Sequence, residues 1–288
     1  MEKHLYTVLN YFSFFSYPPS LKEIYTFFPR KISKKDLQAL LAKEVKDKKI
    51  LLLPYTEGNQ PFSLLQQPTH YPLPTAHCPH YTLPQYSINS SKLKAINAIK
   101  RLQTIKMYLV VASHIPFVQF VGVTGSVAML CAKKNDDVDL CVVTRKNTLW
   151  TTRFLLVILA KWMGLYGKTI CLNLFFDEGD LLIPEKKQNI YIAHEILQMK
   201  PIIDKNDTYN RFLYANRWTC SFFPNVQLRA SRKIQNTGPS LFRTLEYVLK
   251  NRQINIIRKN KTGFMITSRQ LWLFKNDFET KLKRRGML

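Results

Sequence analysis

The sequence predicts an α/β protein that begins with a small winged helix-turn-helix domain. Three short helical segments followed by a strand and a return strand occupy residues 1–66. From residue 90 onward, buried apolar strands alternate with amphipathic helices. The chain has 288 residues, of which 46% are hydrophobic and 12% aromatic, which is enough for a substantial core in one large or two small domains.

The three N-terminal helices are predicted from apolar spacing and from their stop and start signals. Residues 2–15 carry apolar side chains at helical intervals, and Pro18 and Pro19 end that segment. Ser20 is an expected N-cap for a helix over 21–28. Ser33, with Asp36 three residues later, is the expected cap of the third helix.

A strand at 50–53 and a return strand at 62–65 are expected to form the wing of this domain. The third helix and its flanks are strongly basic, which suits contact with nucleic acid. The basic residues are Arg30, Lys31, Lys34, Lys35, Lys43, Lys46, Lys48 and Lys49. Winged helices also dock proteins, and charged helix faces are often only solvated, so both readings stay open.

The charge of the chain predicts a polyanionic partner. Lys and Arg total 43 against 19 Asp and Glu, for a formal net charge of +24. A surface of this sign attracts nucleic acid, nucleotides or an anionic membrane face. The C-terminal tail, residues 251–288, is rich in Lys and Arg. It also carries Trp272, Phe274 and Phe278, which would either stack on single-stranded nucleic acid or dock on the core.

The compartment is expected to be the cytoplasm. Five widely spaced cysteines do not suggest a disulfide framework, and no secretory signal is evident at the N-terminus. The most apolar stretch, residues 149–166, is interrupted by Arg153 and Lys161, so a buried helix is predicted and no membrane partner is expected.

The predicted organisation has four parts. Residues 1–66 form the winged helix-turn-helix-like domain and the proline-rich residues 67–89 form a linker. Residues 90–225 form the catalytic or binding core, and 226–288 form a basic C-terminal helical extension.

The segment that predicts chemistry runs from a buried strand at 117–123 into Gly125 and Ser126, and then to Asp137 and Asp139. A phosphate can approach the backbone of Gly125, and the Ser126 hydroxyl and the first N–H groups of a following helix can bind it. Residues two apart in a strand share a face, so the two carboxylates are expected to point together. A cation such as Mg²⁺ relieves the repulsion between them.

This stretch resembles the signature of the polymerase-beta-like nucleotidyltransferase superfamily: a hydrophobic strand, Gly-Ser, about ten residues, and Asp-x-Asp on the next strand. The resemblance implies a mixed sheet with helices on one side. It also implies two divalent ions, Mg²⁺ or Mn²⁺, on Asp137 and Asp139, with Gly125 and Ser126 at the nucleoside triphosphate. The implied reaction moves a nucleoside monophosphate to an acceptor and releases pyrophosphate.

The third carboxylate of that superfamily has no clear counterpart. The corresponding strand, 169–176, presents Asn173, whose amide oxygen could bind a metal but carries no charge. By alternation, Cys171, Asn173 and Phe175 share a face. Asp177 lies too far along the strand, although a bulge could bring Glu178 or Asp180 inward. A catalytically degenerate nucleotide- or nucleic-acid-binding regulatory protein is therefore the alternative.

The roles of four further residues remain open. Arg145 and Lys146 follow the Asp-x-Asp strand and could contact triphosphate, or could form a solvated turn. His194 and Glu195 lie on a predicted helix over 189–199, where a structural role is favoured over a place in the site.

Overall fold

A computed structural model of the chain describes residues 1–53, 79–85, 88–230, 243–260 and 264–273. The described residues form a mixed α/β structure, in which a six-stranded mixed sheet is flanked by helices and a small helical unit precedes it. The predicted α/β class is thus confirmed.

The N-terminal unit contains three helices, α1 (Glu2–Phe14), α2 (Leu21–Thr26) and α3 (Lys34–Lys46), as the sequence predicts. Ser20 accepts a hydrogen bond from the Glu23 N–H while Glu23 bonds back to the Ser20 N–H, which is a complete capping box. Ser33 accepts from the Asp36 N–H at the start of α3. Both predicted caps are confirmed.

In the described residues, an antiparallel pair of strands completes this unit, and its second strand lies in the segment expected to be a linker. β1 (Leu51–Leu53) pairs with β2 (His80–Thr82). The predicted return strand at 62–65 lies outside the described residues. The segment expected to be a linker therefore contains a strand. A three-residue strand such as β1 does not specify its partner by its sequence, so the tertiary structure determines which segment pairs with it.

The rest of the chain builds the main sheet and its helices. Its first half contains α4 (Ile88–Thr104), α5 (Lys106–Ser113), β3 (Val118–Thr124), α6 (Gly125–Ala128), β4 (Val138–Thr144), α7 (Leu149–Trp162) and β5 (Ile170–Asp177). Its second half contains a short 3₁₀ turn at Glu185–Lys187, α8 (Ile190–Gln198), β6 (Lys200–Asp204), α9 (Thr208–Ala215), α10 (Thr219–Phe222), α11 (Arg243–Asn260), β7 (Phe264–Ile266) and β8 (Gln270–Leu273).

The strand order is β6-β3-β4-β5-β8-β7. β3 is antiparallel to both β4 and β6, and β4 is parallel to β5 through the crossover helix α7. A parallel pair needs such a crossover, whereas the antiparallel pair β3 and β4 is joined by α6 and a turn. This arrangement places the end of β3 next to the beginning of β4.

Helices cover both faces of the sheet. One face packs against α5, α7 and α11 in a core that includes Val123, Leu140 and Leu172. The other face, with Phe120 and Phe176, packs against α8 and α9. The expectation of helices on one side only is therefore wrong, because the strands bury apolar residues on both faces and each face needs a cover.

The C-terminal region also differs from the expected helical extension. α11 is a helix, but β7 and β8 then join the main sheet, with β8 pairing antiparallel to β5. Trp272 is buried in β8, so of the two readings of that aromatic residue, docking on the core is the one observed. Phe274 and Phe278 lie outside the described residues. A four-residue strand is too short for its alternation to stand out in sequence.

The N-terminal unit shares a hydrophobic core with the main domain. Phe12 and Phe27 pack in one cluster with Met129, Ala193 and Phe223. The side chain of Asn225 accepts from the Ile32 N–H (3.2 Å) and donates to the carbonyl of Arg30 (2.8 Å). The two parts are therefore joined by buried packing and by hydrogen bonds.

Within the described ranges, none of the helices has the length and apolarity needed to cross a bilayer. Among the described residues, Cys131, Cys141, Cys171 and Cys220 form no disulfide. Cys78 lies outside the described residues.

Candidate functional site

The corner between β3 and β4 is built around Gly125. Its φ is +67°, a conformation that favours glycine, and it opens α6 directly after Thr124. A Cβ at this position would lie 2.9 Å from Oδ2 of Asp139. The glycine turn and the second carboxylate of the Asp-x-Asp pair are therefore in direct contact, through the pairing of Thr124 with Asp139 in the sheet.

Both aspartates face the cavity beside this corner. Asp137 and Asp139 line a cavity of about 440 Å³ together with Gly125 and Ser126. The structure thus brings together the four residues that the sequence singled out. A cavity of this size accommodates a small organic ligand.

Ser126 is engaged by a carboxylate that the sequence analysis did not consider. Its hydroxyl donates to Oδ2 of Asp136 (2.9 Å), and the Lys133 N–H donates to the same oxygen (2.9 Å). Asp136 therefore ties the start of α6 to the turn that leads into β4. The proximity of Asp136 to Asp137 in sequence was its only visible signal.

Asn173 lies at the site, and the strand that carries it is irregular. β4 and β5 stay in register up to Leu140 and Leu172, but Cys141 then pairs with Leu174, so Asn173 is the extra residue of a β-bulge. Its side-chain amide donates to Oδ1 of Asp139, and its amide oxygen accepts from the Cys171 thiol. The amide nitrogen, not the oxygen, is thus turned toward Asp139.

The bulge also changes which side chains of β5 face the cavity. Asn173, Leu174 and Phe176 line it, whereas Phe175 packs in the core on the other face. The predicted shared face of Asn173 and Phe175 is therefore wrong, because the additional residue reverses the alternation beyond it.

The acids at the end of β5 and just after it lie at the opposite end of the sheet. Asp177 accepts from the N–H groups of Asn147 and Gly179, and Glu178 accepts from the Lys146 N–H. Burial raises the pKa of Asp177 to about 6, and these N–H groups oppose the rise. No bulge brings Glu178 or Asp180 inward, and Lys146 lies at this far end of β4 with Arg145.

A carboxylate from α8 enters the cavity in their place. Glu195 lines the cavity with Tyr191. Burial and, to a lesser extent, the charge of Asp139 raise the pKa of Glu195 to about 7, against the opposing effect of hydrogen bonds from the Gly125 N–H and the Tyr191 hydroxyl. Glu195 therefore faces both the glycine corner and Asp139. Sequence reasoning favoured a structural role here, since nothing local shows which way α8 turns.

His194, beside it, does have a structural position. Its ring stacks on Tyr11 (3.6 Å between centroids) and on Phe27 (4.5 Å), with Phe223 edge-on at 4.6 Å. Burial lowers the pKa of His194 well below its usual value. The histidine is thus held between the N-terminal unit and the main domain.

The cavity has charged and apolar sides. Lys94 of α4 and Lys133 line it near the aspartates and can attract phosphate oxygens. Aromatic residues line the remainder and can pack against a flat or apolar group. They are Phe14 and Phe15 from the N-terminal unit, together with Phe176, Phe212 and Trp272.

The donors of the site suit a hard cation. Asp137 and Asp139 offer carboxylate oxygens, and Mg²⁺ is commonly held by one or two carboxylates completed by water and substrate phosphates. In the parts of the chain that the structure describes, no three His, Cys, Asp or Glu side chains are grouped closely enough to form a metal site by themselves. The donor set therefore fits an ion held jointly with phosphate better than it fits a closed protein site.

Comparison with known proteins identifies no relative. No family model matches the chain, and no curated protein and no solved structure is significantly similar to it.

Proposed function

We propose that the protein is a metal-dependent nucleotidyltransferase. It transfers a nucleoside monophosphate from a nucleoside triphosphate to an acceptor and releases pyrophosphate. The proposal extends the sequence resemblance, and the observation that carries it is the contact between the Gly125 turn and Asp139 inside one cavity with Asp137.

That contact supports the proposal because an ordinary glycine turn does not require a carboxylate packed against it. The positive φ by itself accounts for a glycine at position 125. In addition, a Cβ on Gly125 would lie 2.9 Å from Oδ2 of Asp139, so the Asp139 carboxylate occupies the space where a side chain would stand. The corner thus presents backbone N–H groups and a carboxylate to the same cavity, as binding of a metal-bound phosphate requires.

The residues divide the work by their chemistry. Asp137 and Asp139 hold Mg²⁺, which neutralises phosphate charge when it is bound; a second ion, and Mn²⁺ as a substitute, follow from the resemblance. Lys94 and Lys133, which line the same cavity, attract the phosphate oxygens. Because phosphoryl transfer depends mostly on positioning and charge, these groups supply most of what the reaction needs.

Two residues must change partners for phosphate to bind at the corner. Ser126 donates to Asp136, and the Gly125 N–H faces Glu195. A phosphate oxygen at the corner takes these donors in place of the carboxylates. Asn173 is the weakest member of the proposed metal set, since its amide nitrogen faces Asp139.

The N-terminal unit is proposed to be a winged helix-turn-helix that contacts DNA or RNA. Its eight basic residues on and around α3 are all exposed. Lys43 pairs with Glu2 and Lys49 with Asp47, and both pairs are solvent-exposed, which makes them weak and easily exchanged for phosphate. The basic C-terminal residues are a second proposed contact.

Pyrophosphate release tests the enzymatic proposal. The intact protein is incubated with each nucleoside triphosphate, Mg²⁺ and mixed RNA, DNA and protein acceptors. We expect Mg²⁺-dependent release that falls at least about a hundredfold in Asp137→Asn and Asp139→Asn. Asp180→Asn removes a carboxylate outside the cavity and should leave release unchanged. Equal release by all three variants, or no release with any acceptor, contradicts the proposal.

A catalytically degenerate nucleotide- or nucleic-acid-binding regulatory protein is the second candidate. The specific observation in its favour is Asn173, which places an amide donor against Asp139 where catalysis would use a further carboxylate. Nucleotide binding that Asp139→Asn weakens, without pyrophosphate release, assigns the protein to this class.

A further inference from the structure

Three helices on one side of the sheet lie beside one another. α5 contacts α7 through the Tyr108 hydroxyl, which donates to the Leu156 carbonyl (3.3 Å), and α11 contacts α7 through Gln253, which donates to the Trp150 carbonyl (2.8 Å). Their inner residues Tyr108, Leu156 and Leu249 belong to the same core. Their outer faces therefore point away from the sheet on the same side.

These outer faces are apolar. On α7, Trp162 is 82% exposed, and Phe154, Leu155 and Ile158 share its face at helical spacing. On α5, Met107, Val110 and Val111 are exposed, and on α11, Leu245 and Val248. These nine residues are called the apolar face below. Exposed apolar residues gathered on neighbouring helices are typical of an interaction surface.

The three helices carry several cations and only one acid. The sequences of α5 and α7 contain no acid, and the single acid of α11, Glu246, accepts hydrogen bonds from the N–H groups of Trp150 (2.7 Å) and Thr151 (2.9 Å). The same helices expose several cations, which are Lys106, Lys161, Arg252, Arg258 and Lys259. A partner of this surface must therefore bury apolar side chains and also offer negative charge to the neighbouring cations.

We infer that the apolar face docks on an anionic lipid surface. An acyl boundary takes up the side chains around Trp162, and lipid phosphates pair with the Lys and Arg residues beside them. A second copy of the chain would bring another net charge of +24 against the first. Nucleic acid would satisfy the cations but leave the apolar residues in water.

The geometry makes this a peripheral attachment. None of the described helices can cross a bilayer, so the helices lie along the surface with their inner sides still packed on the sheet. Tryptophan favours the boundary between acyl chains and headgroups, and the most exposed residue of the apolar face is of that type.

Vesicle binding by the full chain tests the inference. Cosedimentation is measured with vesicles of phosphatidylcholine and phosphatidylglycerol, and with phosphatidylcholine alone. The double variant Ile158→Ser, Trp162→Ser is compared with a control, Leu52→Ser, Leu182→Ser, which removes two leucines that are 50% and 51% exposed and lie outside the three helices. Circular dichroism checks that both variants keep the wild-type fold.

We expect binding to the anionic vesicles that falls about tenfold or more in the double variant and stays near wild type in the control. Vesicles should also shift the tryptophan emission of the wild type to shorter wavelength, and Trp162→Phe should bind yet lack that shift. Equal binding by the two double variants overturns the inference, because the charge alone would then explain it. The inference is also overturned if the wild type does not bind vesicles. Loss of self-association in the double variant, without any vesicle binding by the wild type, would assign the apolar face to a contact between copies of the chain.

Discussion

At the scale of single residues, Gly125 shows most directly how backbone conformation and site chemistry are linked. Its positive φ and its contact with Oδ2 of Asp139 constrain the same position for two reasons. The first is intrinsic to L-amino acids, and the second depends on the cavity. The two reasons can be separated by substitution, since the chain contains another glycine with the same φ and no neighbour.

Gly125→Ala is expected to unfold more easily and to lose nucleotide binding. A positive φ costs an alanine about 1–2 kcal/mol, and the new methyl group must also push Asp139 away from its position. At Gly164, φ is +69° and an added Cβ would meet no neighbouring group within 4 Å, so Gly164→Ala carries only the cost of the positive φ. Urea unfolding and Mg²⁺-dependent nucleotide binding are measured for both. Identical losses of binding would show that the contact with Asp139 has no bearing on the ligand.

At the scale of elements, the β-bulge in β5 determines what the third strand offers to the cavity. A regular strand would align Asn173 with Phe175, but the bulge instead places Asn173 beside Asp139 and turns Phe175 to the other face. The extra residue in β5 thus makes Asn173 the hydrogen-bond partner of Asp139, a proposed metal ligand.

Asn173→Asp tests whether this position belongs to a cation site. Without Mg²⁺ the variant places a second carboxylate against Asp139, which should lower the free energy of unfolding by about 1–4 kcal/mol. Mg²⁺ should restore much of that loss and stabilise the variant more than it stabilises the wild type. Thermal unfolding with and without the ion measures both effects.

Asn10→Asp, an exposed substitution on α1, is the matched control and should show neither effect. If Mg²⁺ stabilises Asn173→Asp no more than it stabilises this control, Asp139 does not contribute to a cation site with its neighbour on β5.

At the scale of the whole molecule, the junction between the N-terminal unit and the main domain is the main feature. His194 from α8 is stacked between Tyr11 and Phe27, and Asn225 bonds to the chain before α3. The cavity itself lies along this junction, since Phe14 and Phe15 line it. The N-terminal unit is therefore part of the candidate site.

The junction is expected to weaken in acid. Burial lowers the pKa of His194 in the folded protein, so below about pH 6.5 the unfolded chain binds a proton that the folded chain does not. The stability from the neutral ring is fully present above that pH and is lost as the pH falls. Between pH 7.5 and 5.5, the loss should be about 1.4 kcal/mol.

His194→Phe keeps an aromatic ring and removes the titration. Chemical unfolding of both proteins is measured at the two pH values, and the difference between their free energies should change by the stated amount. Comparing the two proteins cancels the opposite contributions of Asp177 and Glu195, whose raised pKa values favour the folded state as the pH falls. A pH-independent difference would mean that His194 does not oppose protonation in the folded protein.

The sequence was informative where the cause of structure is local. The caps at Ser20 and Ser33 depend on residues three positions apart, and both form as predicted. The Gly125 turn and the pair Asp137 and Asp139 lie within fifteen residues, and the structure places them in one cavity. Spacing within a turn and along a strand fixes such distances before the rest of the chain is placed.

Contacts between distant segments were decided only by the tertiary structure. The β1–β2 pairing, the strands after α11, the bulge at Asn173 and the entry of Glu195 beside Asp139 all join segments far apart in sequence. The sequence by itself determined the glycine-serine corner and its two aspartates, because short-range geometry specifies them. Packing determined which further groups surround those aspartates. The sequence of α8 alone does not specify which of its sides faces the cavity, because that depends on how the helix packs on the sheet.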